Sequence, residues 1–272
     1  MTRCPLCGGE PRALLLDARA VGAELAARQR FFTRGRDLTE VTLGQPADVL
    51  RCERCGILIR DGAPGDDIFR DDRYGMAVLR WLHEAHAAAF RAKHRDYGAL
   101  LAPRAQVVEI GSYAGGFLRA ASEWGWRPIG IDIGGDTARF TAALGFEMSA
   151  DLPAQAIDGV FIWNCFEQIS DPHATLALAH RALRDGGLLV IRVPDAQLYA
   201  TSRDRRVLAA NGFLGWPHRF GYSADALGRL SARHGFALER VLRRAPLPPL
   251  PALHRGWLEL TFRKVSARAA AA

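Results

Sequence analysis

Residues 107–118 read VVEIGSYAGGFL, and no other stretch restricts the possible folds as tightly. An apolar run carrying one acid enters a glycine turn, after which Phe117, Leu118, Ala121 and Trp124 recur at helical spacing. The pattern predicts a buried strand, a tight loop and a helix start, the geometry that brings backbone against a ligand. A second strand, Pro128-Ile129-Gly130-Ile131-Asp132, follows and ends in an acid. A carboxylate about twenty residues past such a loop suits a ribose diol. In a G-x-G-x-x-G loop the middle glycine admits a pyrophosphate, and here that position is Tyr113. A nucleoside ligand without phosphate therefore fits better than a dinucleotide. The alternative is a generic α/β turn whose glycines only permit close packing, and the acid-ended second strand favours the ligand.

With 272 residues, 49% of them hydrophobic, the chain has material for one full α/β domain and a small module. No apolar run reaches membrane-spanning length and no secretory leader precedes Cys4, so the expectation is a cytoplasmic protein without a membrane partner. The formal charge of +7 raises nucleic acid as an acidic partner. Yet all but two of the 36 basic residues are arginine, the exceptions being Lys93 and Lys264. The arginines are scattered, apart from small clusters such as Arg203, Arg205 and Arg206 or Arg240, Arg243 and Arg244. A solvated arginine surface accounts for them, and charge alone neither requires nor removes a nucleic-acid partner. Nothing in the sequence sets the oligomeric state.

Two cysteine pairs, Cys4-Pro5-Leu6-Cys7 and Cys52-Glu53-Arg54-Cys55, bracket the first 60 residues, each followed by a glycine, Gly8 or Gly56. Glycine there lets the backbone turn and leave its amides pointing at the thiolates. Two such knuckles supply four sulfurs for a structural zinc site, with no coordination position left for water. Disulfides or a redox pair are the alternatives. The lack of a leader speaks against the first and the glycines against the second. The interval between the pairs is long for a minimal ribbon, so residues 13–50 are expected to carry a helix (Val21, Leu25, Arg28, Phe32) and a strand. Cys165 has no partner in sequence and reads as a buried small hydrophobe.

Residues 61–74, opening with Asp61-Gly62-Ala63-Pro64-Gly65-Asp66-Asp67, read as a polar, Gly/Asp-rich connector and a domain boundary. From Met76 to Leu101 the positions Leu79, Leu82, Ala85, Ala89, Phe90, Tyr97 and Leu101 recur near the helical period, predicting one long amphipathic helix. His83 and His86 fall on one face of it, either as a metal pair or, more ordinarily, as surface histidines. Beyond Ala105 strands and helices alternate, the signature of a parallel sheet covered on both faces. Strands are expected at 106–110, 128–132, 146–149, 157–163, 187–193, 236–243 and 257–264, and helices near 116–125, 135–144, 173–184 and 223–234. The proline-rich run Pro246–Pro251 can be neither helix nor central strand, so the last two strands should form a hairpin-like pair. The division that results is a zinc-binding module (1–62), a connector and capping helix (63–104), the α/β domain (105–265) and a loose tail (266–272).

At this point the residues resemble class I S-adenosylmethionine-dependent methyltransferases. Glu109–Gly116 resembles the family's first motif, and Gly130-Ile131-Asp132 its acidic second strand. Asp158–Phe161 with Phe166–Pro172 resembles the fourth strand and the segment after it, and Leu183–Val190 the turn into the fifth. Phe220–Ser223 through Gly235 and Phe236 looks like the late helix before the sixth strand. The resemblance spans roughly residues 105–265, and several ordered motifs are more specific than one glycine loop. It implies an α/β, Rossmann-like sheet of seven strands, mostly parallel with the last antiparallel, and S-adenosylmethionine as cofactor. The zinc-ribbon-like module in front is similar to extensions on bacterial methyltransferases, some of which act on deoxysugars and other natural products. Sugar C-methyltransferases of that kind usually carry a further C-terminal domain, which this sequence is too short to include.

Carried over motif by motif, the resemblance implies that Glu109, Gly111, Ser112, Tyr113 and Gly115 shape the pocket for the methionine portion. Asp132 would take the ribose hydroxyls, with Ile133 beside the adenine and Asp151 near its amine. Asn164 and Cys165 would line the path of the methyl group, and Tyr74 would close over the cofactor. Other roles stay open: Glu109 orienting loop amides, Asp132 capping the next helix. Many relatives have Glu-His after the fourth strand, where this chain has Glu167-Gln168. The motif therefore assigns no histidine base beside Glu167. His218, in Gly215–Phe220, is the substitute, because ligands of open α/β sheets sit beyond the strands' carboxyl ends. Trp216 and Arg219 would then contact the acceptor, the alternative being a packed tryptophan and a histidine bonded to backbone.

The reading is a methyltransferase acting on an oxygen or carbon of a small molecule, a sugar or other natural product. Its first competitor is an RNA methyltransferase gripping phosphates with the zinc module and arginines, which requires a continuous basic face. The second is a zinc-dependent interaction protein with a vestigial cofactor fold, against which the intact glycine loop and Asp132 speak.

Overall fold

The computed structural model describes residues 3–20, 22–23, 47–61, 70, 74–153, 157–197, 218–244 and 256–265. Most of the expected helix at Val21–Phe32, most of the connector, Trp216, the proline-rich run and the tail lie outside them. Two sheets organise the chain. The larger has seven strands in the order β10-β11-β8-β7-β4-β5-β6. They are β4 (Gln106–Ile110), β5 (Arg127–Ile131), β6 (Glu147–Met148), β7 (Ile157–Trp163), β8 (Leu183–Pro194), β10 (Phe236–Arg244) and β11 (Trp257–Lys264). β4 pairs parallel with β5 and β7, and β7 with β8, whereas β11 is antiparallel to both β8 and β10. This is the expected α/β sheet, mostly parallel with the last strand antiparallel.

The central strands are apolar on both faces: Val107, Val108, Val160, Phe161, Ile162, Leu189, Val190 and Ile191 are all fully buried. Helices α3 (Gly116–Glu123), α4 (Gly135–Ala143), α5 (Pro172–Ala182) and α6 (Ala224–Ala232) fill the intervals between strands. Asp171 and Ser223 start α5 and α6 by accepting the amides of Ala174 and Ala226 through their side chains, which satisfies donors that the first helical turn leaves unpaired. β8 begins at Leu183, four residues earlier than the sequence indicates. Leu183 already pairs with Ile157 before a register shift carries Leu188 opposite Gly159.

The single helix expected from Met76 to Leu101 is two. α1 (Met76–Arg91) stops before Lys93, and a one-turn α2 (His94–Tyr97) follows. A buried acid on the far strand accounts for the break. Glu259 of β11 is fully buried and accepts from the Lys93 ammonium and, at 2.7 Å, from the Tyr97 hydroxyl. Burial would raise this carboxyl, but the charges of Lys93 and Arg192 outweigh it and hold the group below its usual range. Reaching Glu259 matters more than continuing the helix, since an unpaired buried charge costs several kcal/mol, on the order of 3–5.

The second sheet contains β1 (Pro11–Leu16), β2 (Val49–Cys52) and β3 (Leu58–Arg60), joined by β9 (Phe220–Gly221) from far along the chain. Leu58 pairs with Gly221 and Ile59 with Phe220. The N-terminal module therefore takes its fourth strand from the segment after β8.

Candidate active site

The carboxyl ends of β4, β5, β7 and β8 converge, bringing Gly111, Asp132, Asn164 and Asp195 to one edge of the sheet. The loop after β4 turns on Gly111 (φ 75°), Tyr113 (φ 47°) and Gly115 (φ 72°). A Cβ at Gly111 would lie 2.5 Å from the Cys165 sulfur, so glycine is required both by dihedral and by contact. Tyr113 replaces a glycine yet keeps a glycine's backbone, a conformation that costs a side chain energy. Its surroundings hold it there. The Tyr113 amide donates to Asp132 Oδ2 at 2.6 Å, and its carbonyl accepts from Thr141 Oγ1 at 3.0 Å.

Asp132 does more than end a strand. Its Oδ1 also accepts from the Gly134 amide at 2.8 Å and from Thr137 Oγ1 at 3.0 Å, so it braces the entry to α4 and the glycine loop together. Glu109, one strand over, is 3% exposed, and its Oε2 meets no hydrogen-bond donor among the described residues. Burial, and then the charge of Asp132, push its carboxyl well above the ordinary range. Ser112 Oγ is likewise buried without a partner. A sheet edge with a buried acid, a second acid and a hydroxyl unmatched among the described residues suits a cationic, hydroxyl-bearing ligand. Of the other expected cofactor contacts, Ile133 is exposed on the rim, Asp151 is exposed beyond β6, and Tyr74 stands edge-on to Tyr113 with ring centroids 5.5 Å apart.

His83 corrects the sequence reading. It is buried, not a surface residue, and donates from Nδ1 to the carbonyl of Ala114 in the glycine loop at 2.7 Å. His86 packs against Tyr113 at 6.0 Å between centroids. Both secure the loop from α1. Gly116 permits that approach, because a Cβ there would lie 2.9 Å from the backbone nitrogen of Ala87. The buried face of α1 is Leu79, His83, Ala87 and Phe90, so the i, i+4 spacing of His83 from Leu79 and Ala87 was a signal that the sequence reading did not use.

On the other side of the crevice, Asn164 has φ 54°. Its amide donates to the Arg192 carbonyl at 2.9 Å, and its carbonyl accepts from Gln168 Nε2 at 3.2 Å. Gln168, in the place of the relatives' histidine, thus braces the turn. Asn164 Oδ1 is buried without a hydrogen-bond partner among the described residues, and Cys165 is half-buried beside Gly111. Glu167 and His218 are 0% and 2% exposed, with Glu167 Oε1 3.5 Å from His218 Nε2. The two approach without a short hydrogen bond. Burial pushes the Glu167 carboxyl up to about 8, against smaller opposing contributions from a backbone hydrogen bond and Arg192. Tyr222, which sequence reasoning left without a role, is fully buried near this acid, with its hydroxyl unmatched among the described residues.

The four module cysteines meet as well. Their sulfurs lie within 4.8 Å of one another, with Cys4 to Cys55 at 3.7 Å and Cys7 to Cys52 at 3.5 Å, and all are free thiols. Four thiolates at about 2.3 Å from a tetrahedral zinc would stand roughly 3.8 Å apart, so the donor set fits that ion. Gly8 and Gly56 take positive φ and return their amides to the Cys4 and Cys52 carbonyls, and the Gly9 amide points at Cys7 Sγ at 3.4 Å.

Residues 81–241 match a family model described as a methyltransferase domain. No curated protein matches the chain. Among solved structures, it is similar to a chain from the complex between the Haloferax volcanii Trm112 methyltransferase activator and a methyltransferase. The identity there is 18%, covering 70% of this chain and 95% of that one, with TM-score 0.55. An S-adenosylmethionine-dependent methyltransferase from Mesorhizobium loti is 18% identical over 63% of this chain and 97% of that one, with TM-score 0.51. A third, from Archaeoglobus fulgidus, is 19% identical over 65% and 94%, with TM-score 0.51. At such identities the likeness is one of fold.

Proposed function

The chain belongs to the methyltransferase-domain family and is an S-adenosylmethionine-dependent methyltransferase; from that premise we propose that it methylates an oxygen or carbon of a small molecule, a sugar or other natural product. When bound, S-adenosylmethionine supplies a methyl group on a sulfonium, open to in-line displacement. Asp132 holds the ribose hydroxyls, Ile133 and Asp151 border the adenine, and Glu109 with the loop Gly111–Gly115 receives the methionine end. A cation arriving beside Glu109 would relieve the cost of a buried acid next to Asp132. Tyr74 closes over the cofactor, and Asn164 and Cys165 line the approach to the methyl group. His218 removes the acceptor's proton, with Glu167 behind it. The cysteine module carries one zinc in a closed, structural site, for which its four clustered sulfurs are the donors, and the protein works in the cytoplasm. Residues 1–62 thus hold metal, 63–104 cap the cofactor loop, and 105–265 bind cofactor and acceptor.

The observation that carries a small acceptor over RNA is the enclosure of the Glu167–His218 pair, both almost wholly buried. The arginines add to it. Arg91, Arg119, Arg139, Arg184, Arg229 and Arg263 each pair with a neighbouring acid, so they offer no bare stripe for phosphates. The archaeal likeness involves a methyltransferase activator, which makes a protein partner the second reading. The test is transfer of labelled methyl from S-adenosylmethionine to sugars, natural-product scaffolds and total RNA in parallel. Label in a small-molecule fraction supports the reading, and label confined to RNA overturns it.

A further inference from the structure

The four-cysteine module and the acceptor side of the crevice are joined by backbone. β3 follows the second knuckle after two residues and pairs with β9, two residues past His218. The Arg60 amide donates to the Arg219 carbonyl at 2.9 Å, and the Arg219 and Phe220 amides both donate to the Glu167 carbonyl, at 2.9 and 3.0 Å. One more step along, the Ala196 amide donates to the Tyr222 carbonyl at 2.9 Å, tying the end of β8 into the same strip. Side chains repeat the connection. Cys4, Leu6, Cys52, Ile57 and Ile59 share a buried apolar cluster with Phe166, Phe220 and Tyr222. The catalytic domain also grips the knuckles from outside: Arg229 donates to the Cys55 carbonyl at 3.1 Å and Arg233 to the Leu6 carbonyl at 3.0 Å. The glycine loop is braced differently, by His83 of α1 and by Thr141 of α4.

We infer that the cysteine module is the positioning element of the acceptor half of the site: by adding β3 to Phe220–Gly221 it fixes His218 against Glu167, and metal held by the four thiolates sets the geometry of that pair while the cofactor half stands without it. Strand addition supplies the means, since main-chain bonds fix a register that side-chain contacts alone do not. A knuckle needs its metal to keep its shape, and β3 is the direct continuation of one. The inference rests on the zinc and His218 readings above.

The test uses the whole chain as purified, with zinc as the probe. Zinc is counted per chain and then removed with a chelator under reducing conditions. Histidine imidazole resonances are followed by NMR, with the His218 signal identified by its loss in His218→Gln, and cofactor binding is measured by calorimetry. The expected result is a His218 signal that moves or broadens as zinc leaves and returns when it is restored, while affinity for S-adenosylmethionine changes by less than about threefold. Arg60→Pro, which deletes the amide facing Arg219, should move the same signal with zinc still bound. A stationary His218 signal in zinc-free protein overturns the inference. Loss of cofactor binding in step with zinc also overturns it, because the module would then be needed for folding in general. Protein purified without zinc refutes the metal reading itself and takes the inference with it, whereas a coupled His218 in a protein whose turnover of an identified acceptor is equal before and after His218→Gln would refute only the choice of base.

Discussion

The cofactor side and the acceptor side of this crevice meet at one sheet edge but are assembled from different distances. Tyr113 reaches Asp132 across 19 residues, and Asp132 reaches Gly134 and Thr137 within the next turn. The parts of the cofactor side therefore come from one strand–helix–strand unit, with α1 laid over it. Across the crevice, Glu167 meets Arg219 and His218 from some fifty residues away, and Arg60 meets Arg219 from the other end of the chain. A side built locally can be specified by a motif, whereas one built from remote strands needs an outside scaffold to keep its parts in register.

The sharpest break in this comparison would come from His218→Ala. Turnover of an identified acceptor should fall by about 10²–10⁴-fold, with affinity for S-adenosylmethionine unchanged; a fall under tenfold would leave the acceptor side without its base. Asp132→Ala should act on the opposite side, weakening cofactor binding by about 30-fold, near 2 kcal/mol, as measured by calorimetry. Next in size is the pH response of Glu167. Its carboxyl is raised in the fold to about 8 from an ordinary value of 4.5, so the folded state favours the protonated form. That stability is fully present below about 4.5 and is lost as pH rises through about 8. Thermal melts of Glu167→Gln should therefore lose a decline of a few degrees that the parent shows across this window, and parallel curves would place the acid in water. Smallest should be Arg229→Ala. Its side chain is 54% exposed and shared with Asp225, so removing its bond to the Cys55 carbonyl should shift the melting temperature by a degree or two at most. A larger drop would mean that the catalytic domain supports the knuckle more than the knuckle supports it.

Much of the sheet was readable because central strands buried on both faces are apolar runs, and because Gly111 is demanded both by its positive φ and by the closeness of Cys165. The four cysteines were readable from spacing. What escaped depends on partners remote in sequence. The break between α1 and α2 answers to Glu259, 166 residues from Lys93, and no periodicity around Lys93 encodes that. His83 is polar by composition and buried by tertiary demand. β9 is two residues long, too short for any pattern, and exists because β3 needs an edge to pair with. Tyr222 matters through neighbours that fold beside it, not through the letters next to it.

Because β11 lies between β8 and β10, the sheet cannot be completed in the order in which a ribosome delivers it. Until residues 257–264 emerge, Lys93, Tyr97 and Arg192 wait without the carboxylate they surround, and β10 has no strand to lie beside. Nascent chains stalled short of Trp257 should thus be held in a half-zipped state, with that edge open to chaperones and proteases, and should close in one step once the final strand slots in.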